Sequence, residues 1–183
     1  MSIKRCIFVD MQNKDLTYYI KCFSSLHTNM RYGKPAPHKA LLLLAVIDLV
    51  ERGEIVSNKI ILDKILENQF TCNCKALLGE SVIFQPKINY PFYHMRTESF
   101  WHLIGYSRSK VEDLSNCSIA NLRCNIAFVK LDDDLFSLLQ DGNARAKLRV
   151  CLITKYLNNQ PTVIDQSLNN VALLMACLSY FVA

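Results

Sequence analysis

A dense apolar stretch in the first third of this chain organises the elements around it. Residues 41–50 read LLLLAVIDLV, with Asp48 the one polar residue among them. A helix that is apolar on every side is buried on every side, so a helix over 37–50 is predicted to run through the core. Pro37 suits the first helical position, where its missing N–H does no harm. Gly53 suits the end, where a left-handed residue stops the helix. Ahead of this helix, Leu16, Tyr19, Ile20, Phe23 and Leu26 recur at helical spacing. They predict a first helix over 15–26, capped by Asp15 or Asn13. Beyond it, 54–56 reads as a short extended piece. Asn58 or Asp63 then starts a helix whose stripe is Ile60, Ile61, Ile65, Leu66 and Phe70.

The middle of the chain has a different pattern. NYPFYHMRTESFWHLI, residues 89–104, is aromatic and contains Pro91. Residues 92–95 and 100–103 read as short strands joined by 96–99, a hairpin with a four-residue loop. Phe92, Phe100 and Trp101 are expected in the core, and Tyr93, His94 and Arg96 on the surface. Residues 107–118 are polar and turn-like. Residues 126–131 predict a strand, and 132–139 a short helix with an acidic first turn, which the helix dipole favours. A last helix over 144–157 should bury Leu148, Cys151, Leu152 and Tyr156 and turn Arg145 and Arg149 outward. The expected class is mainly α with a small β-hairpin, an α+β fold with helices and hairpin in winged-helix order. One domain over residues 1–160 is expected. The tail 161–183 is apolar and reads as a docking helix or the start of a lost domain.

Charge changes this picture more through its distribution than its total. The net charge is +5, which suits an anionic partner without requiring one. No acid occurs in 16–47, 81–97 or 142–164, yet each run carries several cations. Acids gather at 48–67, 112–113 and 132–134. Such segregation is the footprint expected of a nucleic-acid binder when the basic runs share one face. The loop before the buried helix carries Arg31, Lys34, His38 and Lys39. A helix start with added cations holds an anion such as phosphate. The same pattern also suits a core helix with a few solvated cations.

Other chemistry is sparse. The eight cysteines lie at 6, 22, 72, 74, 117, 124, 151 and 177, and the first residues do not read as a secretory signal. Reduced thiols in the cytoplasm are therefore expected. Cys72, Cys74, Cys117 and Cys124 do not have the two to four intervening residues usual for zinc ligand pairs, so no metal is expected. No window reaches the roughly 18 apolar residues of a membrane span. Phosphate-loop, G-x-S-x-G and H-E-x-x-H patterns are absent from the sequence. His94, Glu98 and His102 lack an orienting or nucleophilic partner for hydrolysis. No catalytic residue and no cofactor is expected.

Three blocks together carry a resemblance: YGKPAPHKALLLLAVIDLVERGEI, then PFYHMRTESFWHL, then LDDDLFSLLQDGNARAKLRVCLITKYL. Over about residues 15–157 the chain resembles the DNA sulfur-binding domain of phosphorothioate-dependent type IV restriction endonucleases, which usually precedes an HNH nuclease domain. The resemblance implies binding of double-stranded DNA in which sulfur replaces a non-bridging phosphate oxygen. It implies an apolar sulfur cup from Pro37 and Ala40, with Ala36 where some relatives carry tyrosine. The cup arginine of the relatives has no assigned match here. Arg31, Tyr32, Lys34, His38 and Lys39 would hold the DNA backbone, and Tyr93, His94 and Arg96 would reach bases or a groove. No HNH motif follows before Ala183, so the expectation is a recognition module, not an enzyme, acting with an HNH nuclease partner. It is expected as a monomer or homodimer away from membranes. Two alternatives stand beside it: a winged-helix DNA binder indifferent to sulfur, and a protein-interaction domain.

Overall fold

The computed structural model describes residues 14–31, 33–78, 87–106, 111, 114 and 116–157. The tail 161–183, the expected boundary near 160, Asn13 and Tyr32 lie outside the described residues, as does most of the turn-like stretch 107–118. Among the described residues the chain forms α1 (Leu16–Ser24), β1 (Met30–Arg31), β2 (Lys34–Pro35), α2 (His38–Glu51), α3 (Lys64–Leu78), α4 (Asn89–His94), β3 (Trp101–Gly105), α5 (Ile119–Asn125), β4 (Ile126–Leu131), α6 (Asp133–Gln140) and α7 (Gly142–Tyr156). The expected class, mainly α with a small antiparallel β component, is the one observed. None of the described helices is long and apolar enough to cross a membrane.

Helix α2 is the centre. Every residue of it from Lys39 to Val50 is buried except Asp48, which is half-buried. Around it pack α3, α4, α6 and α7. It stops where expected. Gly53 takes φ 71°, and the Gly53 and Glu54 N–H groups return to the Val50 and Leu49 carbonyls at 3.0 and 2.9 Å. This closure satisfies carbonyls the helix would otherwise leave open. The expected caps also form. The Tyr18 N–H donates to Asp15 Oδ1 at 2.8 Å and the Leu66 N–H to Asp63 Oδ1 at 2.9 Å.

The hairpin over 92–103 does not form. Residues 89–94 are helix α4, continued by a 3-10 turn over Met95–Thr97. Pro91 falls in the first turn, where no N–H is needed, and Phe92 and Met95 point inward. Strand β3 pairs instead with distant β4, antiparallel from Trp101 opposite Leu131 to Gly105 opposite Ile126. Its connection carries α5. On the other edge of β4, Ile60 and Val129 exchange backbone bonds at 2.9 and 2.8 Å. The Asn58 side chain imitates another strand, donating to the Leu131 carbonyl and accepting the Leu131 N–H, both at 2.9 Å. Asn58 therefore extends the sheet instead of starting α3. Phe92, Phe100 and Trp101 are core residues as expected, and Trp101 Nε1 donates to the Phe92 carbonyl.

Arg145 and Arg149 face inward, contrary to the helical-wheel expectation. Arg149 bonds Asp48, and its second nitrogen donates to Glu51 Oε2 at 2.6 Å. Arg145 donates to the Leu139 and Gln140 carbonyls at 2.7 and 2.9 Å, closing the end of α6. These two charges of α7 are thus spent on α2 and α6.

Asp132 does not cap α6 with its side chain. Its carboxylate accepts from Lys14 Nζ at 2.7 Å and Tyr19 Oη at 3.0 Å, and contacts His102 Nε2 at 2.7 Å. It ties α1 to the β3–β4 sheet. Burial opposes its ionisation, but the bonds from His102, Lys14 and Tyr19 win and hold its carboxyl below the ordinary value of 3.8. A depressed carboxyl stabilises the fold above the unfolded value and loses that contribution as pH falls through the folded one. Stability is therefore expected to drop below about pH 4, and Asp132→Asn to flatten that part of the profile. Urea midpoints at pH 3 and pH 5 test this. An equal acid slope in both proteins would place the lability elsewhere.

Candidate nucleic-acid interface

Lys39 and Glu98, 59 residues apart, meet at 2.5 Å and draw two of the basic runs together. The first is the loop 27–36 with the start of α2. The second is the end of α4 with the 3-10 turn. Glu98 is the first acid after the run 81–97. Its Oε1 also accepts the His27 N–H at 3.0 Å, and its Oε2 lies 3.2 Å from His27 Nδ1. Lys39 Nζ donates to Thr97 Oγ1 at 3.0 Å, and that hydroxyl donates to the His94 carbonyl at 3.0 Å.

The loop itself holds a small hairpin where the sequence predicts none. Arg31 pairs with Lys34 across Gly33, whose φ of 74° glycine adopts without strain. The Ala36 N–H bonds the Asn29 carbonyl at 2.8 Å. Alpha-2 then opens with Leu41 N–H on the Pro37 carbonyl at 2.9 Å. Its N-cap residue Pro37 makes no side-chain capping bond, and no acid lies in its first turn. Its positive end is thus left uncompensated by any acid of its own.

Each predicted contact residue has a definite place. His38 is half-buried in the first turn of α2. The backbones of Arg31 and Lys34 lie in β1 and β2. Lys39 corrects the expectation of a surface cation: it is 7% exposed and neutralised by Glu98. Tyr93 is a second correction, since it is 4% exposed. The Arg96 guanidinium carbon sits 3.7 Å from the centroid of the Tyr93 ring, and Arg96 Nη1 donates to the Tyr93 carbonyl at 3.4 Å. Tyr93 is a platform for exposed Arg96 rather than a contact in its own right. His94 is exposed beside them. Burial first, then the Arg96 and Lys39 charges, hold its pKa below the ordinary imidazole value. At pH 7 it is a neutral ring with one donor and one acceptor.

The expected sulfur cup is largely closed. Ala40 has 0% exposure and Pro37 is buried, while Ala36 is half-buried. The cause is α2 itself, whose apolar surface is already inside the core one turn from its start. The third basic run does not join this face through Arg145 or Arg149, which bond α6 and α2. His27, Thr97 and Glu98 complete the site and were not among the predicted contacts. The one signal for Glu98 was its position as the acid that ends a basic run.

Cys72 and Cys74 lie on α3, and burial pushes the Cys74 thiol up to about 12. Among the described residues no three histidine, cysteine or acidic side chains gather as metal ligands. No protein-family model matches the chain, and no curated protein matches it.

Proposed function

We propose that the chain is a DNA sulfur-binding domain, which takes phosphorothioate-modified duplex DNA at the start of α2. The observation that carries this reading is the convergence of the loop 27–36, the start of α2 and the exposed pair His94 and Arg96 around one ion pair. A helix start favours a phosphate oxygen. Sulfur is larger, more polarizable and less hydrated than oxygen, so apolar surface beside that anion discriminates between the two. Half-buried Ala36 supplies it, with the buried Pro37 and Ala40 as backing from within. Arg31, Tyr32, Lys34 and His38 hold the backbone, and Arg96 with His94 reaches into a groove. The module itself does not cut; cleavage belongs to an HNH nuclease partner. The cytoplasm, where thiols stay reduced, is the compartment that goes with this reading.

The enclosure of Ala40 favours a second reading, a duplex binder indifferent to sulfur, because less apolar surface meets the ligand. Titrating modified and unmodified duplexes of one sequence across salt separates the two. Both should bind with an affinity that falls as salt rises. The modified duplex should bind about tenfold tighter, roughly 1.4 kcal/mol. Equal affinities leave the second reading, and absence of salt-dependent binding removes both. Incubated with Mg²⁺, both duplexes should stay intact, and cleavage would overturn the non-enzymatic part.

A further inference from the structure

We propose that Glu98 is the positioning residue of the DNA interface, an acid that strengthens anion binding although its charge opposes it. This rests on the reading above. Glu98 is 6% exposed and paired with Lys39, so its charge is met by a cation within the fold. Its two oxygens serve different segments. Oε1 takes Lys39 Nζ from α2 and the His27 N–H from the start of the basic loop. Oε2 faces the His27 ring. Thr97, the preceding residue, shares Lys39 and bonds back to the His94 carbonyl, which fixes the turn that presents Arg96. One carboxylate therefore sets the loop, the helix start and the turn relative to one another. Phosphate contacts depend on such registration, because donors spread over three segments must match a fixed backbone spacing.

Charge and geometry predict opposite signs, which makes the proposal testable. If Glu98 mattered only as a negative charge near an anion site, Glu98→Gln would bind duplex DNA more tightly, and Glu98→Asp would change nothing. As a positioning residue, both substitutions should weaken binding, by about tenfold. The glutamine loses the charge that holds Lys39, and the aspartate is one methylene too short to reach Lys39 and His27 together. Affinities are measured by fluorescence anisotropy well below the melting temperature of each variant, with hydrogen exchange at the His27 amide followed alongside. Asp48→Ala is the control for general destabilisation: it is remote from the interface and should leave affinity unchanged. Weaker binding by Glu98→Gln and Glu98→Asp, with faster His27 exchange and an unaffected Asp48→Ala, is the expected result. Binding as tight as the unmutated protein in either folded Glu98 variant overturns the proposal, and so does an equal loss in Asp48→Ala. If Glu98→Gln does not fold, Glu98→Asp decides alone. If the unmutated protein fails to bind duplex DNA, the functional reading falls first, and that outcome is seen before any variant is made.

Discussion

Asp48→Ala is expected to destabilise the domain by about 3 kcal/mol, the lower end for breaking a buried ion pair. Asp48 is the one polar residue in the apolar run of α2, and it is fully used. Its Oδ2 accepts from Gln69 Nε2 at 2.9 Å and Asn73 Nδ2 at 2.7 Å, both on α3. Its Oδ1 accepts from Arg149 on α7. Removing the carboxylate strands a guanidinium whose side chain is 14% exposed, along with two amides. Glu51 keeps part of the Arg149 charge paired, and some solvent reaches both groups, which holds the loss near the lower end. Urea unfolding measures it, read as a shift of midpoint at constant slope. A change under about 1 kcal/mol would show that the three-helix junction stands on its apolar contacts alone.

Arg96→Ala is expected to weaken duplex binding by about 1–3 kcal/mol, the range for one good groove contact, with little change in stability. Arg96 is exposed, but it is not a loose surface cation. Stacking on Tyr93 and a bond to the Tyr93 carbonyl set its plane before a ligand arrives. Less side-chain freedom is then lost on binding. Arg96→Lys separates this from charge, since lysine keeps the charge but not the planar stack. The lysine variant should recover the salt dependence of binding and only part of the affinity. Full affinity in Arg96→Ala would make the α4 turn a structural element alone.

Much of this architecture is legible in the sequence because local chemistry decides it. An unbroken apolar run demands burial, Asp15 and Asp63 cap, and Gly53 stops a helix. The failures share a cause, which is partners far away in the chain. Residues 92–95 look like half of a hairpin when only neighbours are considered. The true partner of β3 is β4, beyond α5, and no local pattern in 101–105 names it. Arg145 and Arg149 look solvated on a helical wheel, yet Asp48 already announced that a core helix needed a polar partner. The site was half legible for the same reason. Cationic residues at the start of α2 and in 94–96 stood out, and the structure does bring them together. That Lys39 would be consumed by Glu98, and Tyr93 turned into a platform, depended on a contact across 59 positions. The sulfur cup depended on a surface opening that apolar character alone does not guarantee.

The enclosure of α2 also gives the protein an internal gauge. Amide protons in the middle of a helix wrapped on all sides exchange with solvent only when the whole domain opens, so their rates report global stability. The start of the same helix belongs to the proposed ligand surface. A ligand bound only by the folded state lowers the population of the opened domain by a factor of one plus the ratio of its free concentration to its Kd. Occupancy at the rim can thus be read from protons that never touch the ligand, deep in the Leu41–Leu44 stretch.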